Sequence, residues 1–223
     1  MKKQNVSDGI ERILFESREE WLSNRGGIGG SDAASIVGLN KYKTNQQLWR
    51  EKAGLDEPED ISDKPYIRYG HDAEPLIRSL FALEYPQYQV DYFDNNMFRN
   101  RKYPWAHASL DGELTDPDGR KGIWEGKTTT ILRPGQSDLW KERIPDNYYI
   151  QCLHYLMVTG YEYVWLTALL RYEFGDEKML QIRNYSFERK EVLEDIDYLQ
   201  KEEEKFWKSL QENKMPGLIL PEF

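Results

Sequence analysis

Asp111, Glu125 and Lys127 are the residues of this chain whose types and spacing best support chemistry. Asp111 sits between Leu110 and Gly112. A turn-rich reversal, Asp116-Pro117-Asp118-Gly119, separates it from a strand-like run, Gly122-Ile123-Trp124-Glu125-Gly126-Lys127. Strand side chains alternate between faces, so Glu125 and Lys127 share one side while Trp124 and Gly126 take the other. A hairpin through the reversal then brings Asp111 alongside. Two carboxylates and an ammonium converging at a hairpin end suit metal-dependent hydrolysis of a phosphodiester. Mg²⁺ takes carboxylate, carbonyl and water oxygens; beside a phosphate it polarises a phosphoryl oxygen and lowers the pKa of a bound water. The lysine would orient that water or stabilise developing negative charge. The Gly126 carbonyl, between the two side chains, is a further candidate ligand. Plainer readings exist for each part: a turn aspartate at Asp111, and the alternating charges of a surface strand at Glu125 and Lys127. Both together at hairpin spacing are less readily a coincidence.

These residues need elements on either side to hold them. Residues 123–129 predict the strand bearing Glu125 and Lys127, and residues 105–114 the strand before it. Residues 88–92 and 96–99 predict two earlier strands; 161–170 and 178–185 predict two later ones. Residues 146–158 (DNYYIQCLHYLMV) form a strongly apolar helix. An earlier helix opens at Tyr69-Gly70-His71-Asp72-Ala73-Glu74-Pro75 and runs to residue 85, with Leu76, Ile77, Leu80 and Leu83 as its buried stripe. Short helices are expected at 16–21, 33–37 and 45–53. The second follows a glycine-rich loop, Arg25-Gly26-Gly27-Ile28-Gly29-Gly30, and is capped by Ser31 or Asp32. Residues 1–15 are polar and are expected to fray. Residues 189–212 read as a packing helix with a solvated acidic face, turned inward at Leu193, Ile196, Leu199, Phe206 and Leu210. No repeat, low-complexity stretch or linker interrupts the chain, so residues 1–223 are expected to form one α/β domain with a mixed central sheet flanked by helices.

Composition narrows the classes. Hydrophobic residues make up 39% and aromatics 13%, enough for a sizeable core. The single cysteine, Cys152, excludes an internal disulfide and a multi-cysteine metal site, and reads as a small core hydrophobe. No apolar leader or long apolar run suggests secretion or a membrane span, so a cytoplasmic protein is expected. The net charge of −9 argues mildly against nucleic-acid binding, but the acids concentrate in residues 56–63 and 188–204, which leaves room for local basic patches. Lys41, Lys43, Arg133, Lys141 and Arg143 are candidate phosphate contacts. Tyr42, Trp49, Trp105, Trp140 and Tyr148 could stack on bases, although core positions are the commoner fate of such residues. His71, His107 and His154 lack metal-ligand spacing; His107 could line the cleft. Glu74 could simply favour a helix dipole from a first turn, and Gln151 and Tyr155 could be core-edge residues.

Asp111 with Glu125-Gly126-Lys127 resembles the D…(D/E)-X-K core of the restriction-endonuclease-like, or PD-(D/E)XK, nuclease superfamily. Three further stretches narrow the resemblance. The loop Arg25-Gly-Gly-Ile-Gly-Gly-Ser31-Asp32-Ala33-Ala34, the helix segment Tyr69-Gly70-His71-Asp72-Ala73-Glu74, and Gln151-Cys-Leu-His-Tyr155 are similar, in that order, to the YqaJ-type viral recombinase and phage-lambda-exonuclease-like family. The resemblance spans residues 21–160. It implies a restriction-endonuclease-like core, with Asp111, Glu125, Glu74 and Gly126 around Mg²⁺ (Mn²⁺ as a substitute) and Lys127 as the catalytic lysine. It also implies Gln151 close to the active centre and Arg25 and Ser31 as a pocket for a terminal 5′-phosphate, with Tyr148 and Tyr155 on the DNA-facing side of the same helix. The implied activity is 5′-to-3′ digestion of one strand of linear double-stranded DNA, leaving 3′ overhangs for phage-type homologous recombination. Double-stranded DNA ends, a single-strand annealing protein and a ring-shaped homotrimer are the implied partners; a bacterial cytoplasm is the implied setting and a phage or prophage the implied source. The competing expectations are an endonuclease or RecB-like nuclease module on the same core, and a non-catalytic DNA-end-binding adaptor.

Overall fold

The computed structural model describes residues 1–174 and 177–220. Along the chain run β1 (Lys2–Ser7), β2 (Ile10–Leu14), α1 (Arg18–Ser23), α2 (Gly30–Ile36), α3 (Asn45–Lys52), α4 (Pro65–Glu84), β3 (Gln89–Asp91), β4 (Asn96–Asn100), β5 (His107–Ala108), β6 (Gly112–Thr115), β7 (Lys121–Ile131), α5 (Pro134–Asp138), α6 (Asp146–Thr159), β8 (Tyr163–Phe174), β9 (Glu177–Glu188), a 3₁₀ turn at Arg189–Glu191, and α7 (Leu193–Gln211). The strands form two sheets. A five-stranded sheet has the order β3-β6-β7-β8-β9, with β7 and β8 parallel and the other pairs antiparallel. A four-stranded antiparallel sheet has the order β1-β2-β4-β5. A parallel pair needs a crossover, and α5 and α6 supply it between β7 and β8. α6 is apolar on most sides because it is covered on most sides: residues from Ile150 to Thr159 are buried, Gln151 alone excepted. It ends at Gly160, whose φ of +69° gives the left-handed stop that glycine tolerates best. α4 covers the opposite face of the five-stranded sheet, packed on β7 and β8. The α/β architecture with a mixed sheet flanked by helices is the expected one; the separate antiparallel sheet is an addition to it.

Several expectations are corrected. The first fifteen residues do not fray: β1 and β2 form a hairpin, β2 pairs along β4, and Arg12 ion-pairs with the buried Glu113 on β6. The single strand expected at 105–114 is two, β5 and β6, in different sheets. Between them Asn96 clamps Leu110, its Nδ2 donating to the Leu110 carbonyl at 2.9 Å and its Oδ1 accepting from the Leu110 N–H at 2.9 Å. α2 is capped by Gly29 rather than Ser31 or Asp32; Asp32 instead accepts the Gly29 N–H at 3.0 Å from within the first turn. α4 begins at Pro65, so Glu74 lies mid-helix and the helix-dipole reading for it falls. The 189–212 helix starts after the 3₁₀ turn, and Leu193 is exposed.

Of the buried stripe expected on α4, Ile77 is buried and the three leucines are not. Leu76 and Leu83 are 70% and 75% exposed and Leu80 is at the rim, whereas Ala73, Ile77 and Phe81 are buried. Both stripes have helical spacing, and the aromatic cluster decides between them. Phe81 stacks on Tyr85 at 4.8 Å and meets Trp165 edge-on at 5.5 Å and Trp124 at 6.3 Å. Phe81→Ala should cost about 3–5 kcal/mol in denaturant unfolding, and Leu83→Ala should stay within about 0.5 kcal/mol. Comparable losses for the two would contradict this packing.

Candidate active site

The ladder between β6 and β7 ends at the pair Gly112 and Trp124. One residue earlier on one strand is Asp111; one residue later on the other is Glu125. Past the ladder's end the Gly126 N–H donates to Asp111 Oδ2 at 3.1 Å, so the carboxylate stands in for the missing strand partner. Gly126 thus contacts the Asp111 carboxylate directly through its N–H. It must be small: a Cβ there would lie 2.8 Å from the Trp124 ring and 3.3 Å from Ile77. Trp124 and Gly126 thus face α4, and Glu125 and Lys127 face α6, as strand alternation requires.

Glu125 is 1% exposed. Its Oε1 accepts from Lys127 Nζ at 2.5 Å and from Gln151 Nε2 at 2.8 Å, and its Oε2 is buried without a partner. Gln151 also donates to the Tyr155 hydroxyl at 2.7 Å, and the Lys127 ammonium lies 5.2 Å from the Tyr148 ring centre. These three α6 residues therefore join the strand residues; Gln151 and Tyr155 are not plain core-edge positions. Glu74 approaches from α4. Its Oε1 accepts from Arg78 at 3.1 Å, and the same Arg78 nitrogen donates to the Asp111 main-chain carbonyl. Arg78 is stacked 3.8 Å over the Tyr92 ring, which fixes it.

The electrostatics are those of crowded acids. Burial and the Asp111 charge raise the Glu74 carboxyl to about 7, against the pull of Arg78. Full burial and Asp111 raise Glu125 to about 8, outweighing the Lys127 ammonium beside it. Burial works against the Lys127 charge, but Glu125 and Asp111 more than offset it and hold the ammonium well above its usual range. Among the described residues no three His, Cys, Asp or Glu side chains already converge as a ready-made metal cage. Each carboxylate is turned to a donor: Glu125 to Lys127, Asp111 to Gly126, Glu74 to Arg78. The donor set nonetheless fits a hard divalent ion. It is all oxygen, it carries an excess of mutually repelling carboxylates, and one buried carboxylate oxygen, Glu125 Oε2, accepts no hydrogen bond from the described residues.

The glycine-rich loop lies next to this centre. A Cβ on Gly30 would fall 2.5 Å from the Tyr155 ring and 3.1 Å from Gln151 Cγ, so the start of α2 sits directly on Tyr155 and on Gln151, which contacts Glu125. Lys52 pins the loop, its Nζ donating to the Gly27 carbonyl and ion-pairing with Asp32, each at 2.7 Å. Arg25 is exposed with its guanidinium 4.4 Å over Trp21, and Ser31 is exposed on the first turn of α2; among the described residues neither hydrogen-bonds to the carboxylates. His107 is buried with its ring against Gly29, and burial pushes it down to about 3. Of the aromatics considered for base stacking, Trp49, Trp105 and Trp140 are core residues, while Tyr42 is exposed. Lys43, Lys141 and Arg143 are each engaged in ion pairs. Arg78, Asn96 and Lys52 position the site and were not legible as site residues. Only Arg78 left a trace, one helical turn after Glu74.

Comparison with known proteins bears on this geometry. The family model described as a YqaJ-like viral recombinase domain matches residues 20–162. The YqaJ protein of Bacillus subtilis (strain 168) is 34% identical over 197 residues, which is 86% of this chain; the chain spans 56% of that protein's length. Two solved structures share the fold. An alkaline exonuclease, LHK-Exo, from Laribacter hongkongensis matches with a TM-score of 0.62 at 19% identity, over 87% of this chain and 93% of the other. A phage-related exonuclease from Haemophilus somnus 129PT matches with a TM-score of 0.55 at 16% identity, over 87% and 99%.

Proposed function

The chain belongs to the YqaJ-like viral recombinase family, and on that premise we propose that it is a metal-dependent deoxyribonuclease working as an exonuclease on linear double-stranded DNA, 5′ to 3′, leaving 3′ overhangs for recombination. The observation that carries the reading is Glu125: a buried carboxylate with one free oxygen, beside Asp111 across a strand end and touching Lys127 and Gln151. Asp111, Glu125 and Glu74 would hold a divalent cation, Mg²⁺ or Mn²⁺. Such an ion supplies Lewis acidity to the scissile phosphate and to the attacking water. Lys127, held between Glu125 and the Tyr148 ring, orients the water and stabilises the charge that develops on the phosphoryl oxygens. Gln151 holds the Glu125 carboxylate in place. Arg25 and Ser31, exposed on a loop packed against Gln151, would receive the terminal 5′-phosphate.

The test compares 5′-phosphorylated linear duplex, 5′-hydroxyl linear duplex and a closed circle. Fast degradation of the first, slow degradation of the second and none of the circle are expected. Nicking of the circle at a comparable rate favours an endonuclease. Tight end binding without degradation favours an adaptor. A single-strand annealing protein, self-association into a ring and a phage source in a bacterial cytoplasm remain part of the proposal. Among the described residues no helix is long and apolar enough to cross a membrane.

The raised carboxyls give a pH dependence with a definite sign. In the metal-free fold, Glu74 and Glu125 bind protons more tightly than at their ordinary value of 4.5. Their contribution to stability is full below that value and is lost as pH rises through about 7 and 8. A cation displaces those protons, so it binds better at higher pH. The rise in melting temperature produced by Mg²⁺ should be larger at pH 8.5 than at pH 6; an equal rise at both would remove these acids from the metal site.

A further inference from the structure

Glu203 is fully buried on α7, a helix whose other acids mostly face solvent. Its Oε1 meets His154 Nδ1 at 2.7 Å, and its Oε2 accepts the Trp105 indole N–H at 3.3 Å. His154, equally buried on α6, donates through Nε2 to the His107 main-chain carbonyl at 2.9 Å. A neutral imidazole has one N–H, so opposite a carboxylate and a carbonyl the ring satisfies both acceptors only as imidazolium. Burial opposes that charge, and Glu203 with the His107 carbonyl outweighs it. A buried ion pair adds little stability over apolar packing of the same volume, which directs attention to what this one orients.

His154 adjoins Tyr155 and follows Gln151 by one turn on α6. Trp105 and His107 lie in the segment that leads to Asp111. That segment also holds the glycine-rich loop: the Ile28 N–H donates to the Trp105 carbonyl at 2.7 Å, and the His107 N–H donates to the Ile28 carbonyl at 3.0 Å. Gly27 presses on the same strand, with φ of +100° and a Cβ position only 2.3 Å from the Trp105 oxygen. One carboxylate on α7 thus ties together the helix that contacts Glu125, the approach to Asp111, and the loop beside them.

We propose that Glu203 and His154 are positioning residues, an ionic hub that fixes the glycine-rich loop relative to the cleavage helix so that a bound DNA end and the cleaving groups stay in register. For its kinetic readout the inference rests on the proposed nuclease function. Glu203→Gln keeps the size and an acceptor but removes the charge. On 5′-phosphorylated linear duplex with Mg²⁺, kcat should fall about tenfold or more while KM changes less than about threefold, because small misplacements of reacting groups are expensive. Amide hydrogen exchange at Ile28 and His107 should accelerate about tenfold, with Ile13 in the distant hairpin unchanged. Ile196→Ala, buried on α7 two turns before Glu203, loosens the helix away from the hub, and at a temperature well below melting it should leave kcat near wild type. An equal kcat loss in Ile196→Ala at matched stability, or unchanged kcat and exchange in Glu203→Gln, overturns the proposal. Should Glu203→Gln not fold, Trp105→Phe removes the indole donor together with part of a buried ring: exchange at Ile28 faster than in Ile196→Ala at matched stability supports the hub, and unchanged exchange overturns it. If the wild-type chain degrades no duplex, the nuclease reading fails, while the exchange arm still decides the hub.

Discussion

Lys127→Ala should lower the rate of DNA degradation on the order of 10²–10³-fold while leaving DNA binding within about threefold of wild type. The reason is where the ammonium sits. It is 2.5 Å from Glu125 Oε1 and 5.2 Å from the Tyr148 ring centre, with 19% of the side chain still exposed. It is one cation in a crowded carboxylate site, so it contributes little to holding a long duplex. Its charge matters most when negative charge builds on the phosphoryl group, which is a transition-state effect. Removing it also leaves Glu125 with Gln151 as its only donor among the described residues and strips away a group that opposes its protonation. Part of the loss at neutral pH will therefore be weaker metal binding, and a magnesium titration repeated at pH 9 separates that part from the chemistry. Single-turnover rates unchanged at saturating Mg²⁺ would remove Lys127 from the mechanism. A loss confined to KM would make it a DNA contact instead.

Asp111→Asn is expected to abolish measurable Mg²⁺ binding by calorimetry, or to weaken it at least about 10²-fold. Even outer partners of metal ligands cost about 10–100-fold. The substitution is gentle on the fold. Asparagine can keep an oxygen toward the Gly126 N–H, and the main-chain carbonyl that takes Arg78 is untouched. What disappears is a charge that raises both Glu74 and Glu125. The metal-free variant should therefore melt a few degrees higher than the metal-free wild type at pH 8, since a small free-energy gain moves a melting temperature by that much. The difference should vanish toward pH 4, where these acids are protonated in folded and unfolded chains alike. Retained Mg²⁺ affinity would exclude Asp111 as a ligand. A variant less stable than wild type at pH 8 would mean that repulsion among these acids does not destabilise the metal-free fold.

Legibility from sequence divides along local and non-local lines. The reversal at Asp116-Pro117-Asp118-Gly119 was legible because turn residues act over a few positions; Asp116 Oδ1 indeed accepts the Asp118 and Arg120 N–H groups, and Gly119 has φ of +81°. The face shared by Glu125 and Lys127 followed from strand alternation alone. Gln151 and Tyr155 were named through a motif resemblance; no spacing rule brings α6 against β7. The inward face of α4 was legible at Ile77 but misread at Leu76, Leu80 and Leu83, which satisfy helical periodicity as well as Ala73, Ile77 and Phe81 do. Only the aromatic surface beneath them selects the second set.

By itself, then, the sequence determined the chemical inventory: two acids and a lysine on a hairpin, a glycine-rich loop, and an apolar helix with one glutamine. Each rests on residue type and short spacing, which backbone geometry converts directly into direction. Tertiary structure alone decided that Glu125 is buried, that Asp111 replaces a missing strand partner, that Arg78 fixes its backbone and Asn96 that of Leu110, and that Glu203 on the last helix meets His154 and Trp105. Those outcomes depend on contacts between segments far apart in the chain, and no local preference encodes which partner a side chain meets once the elements pack.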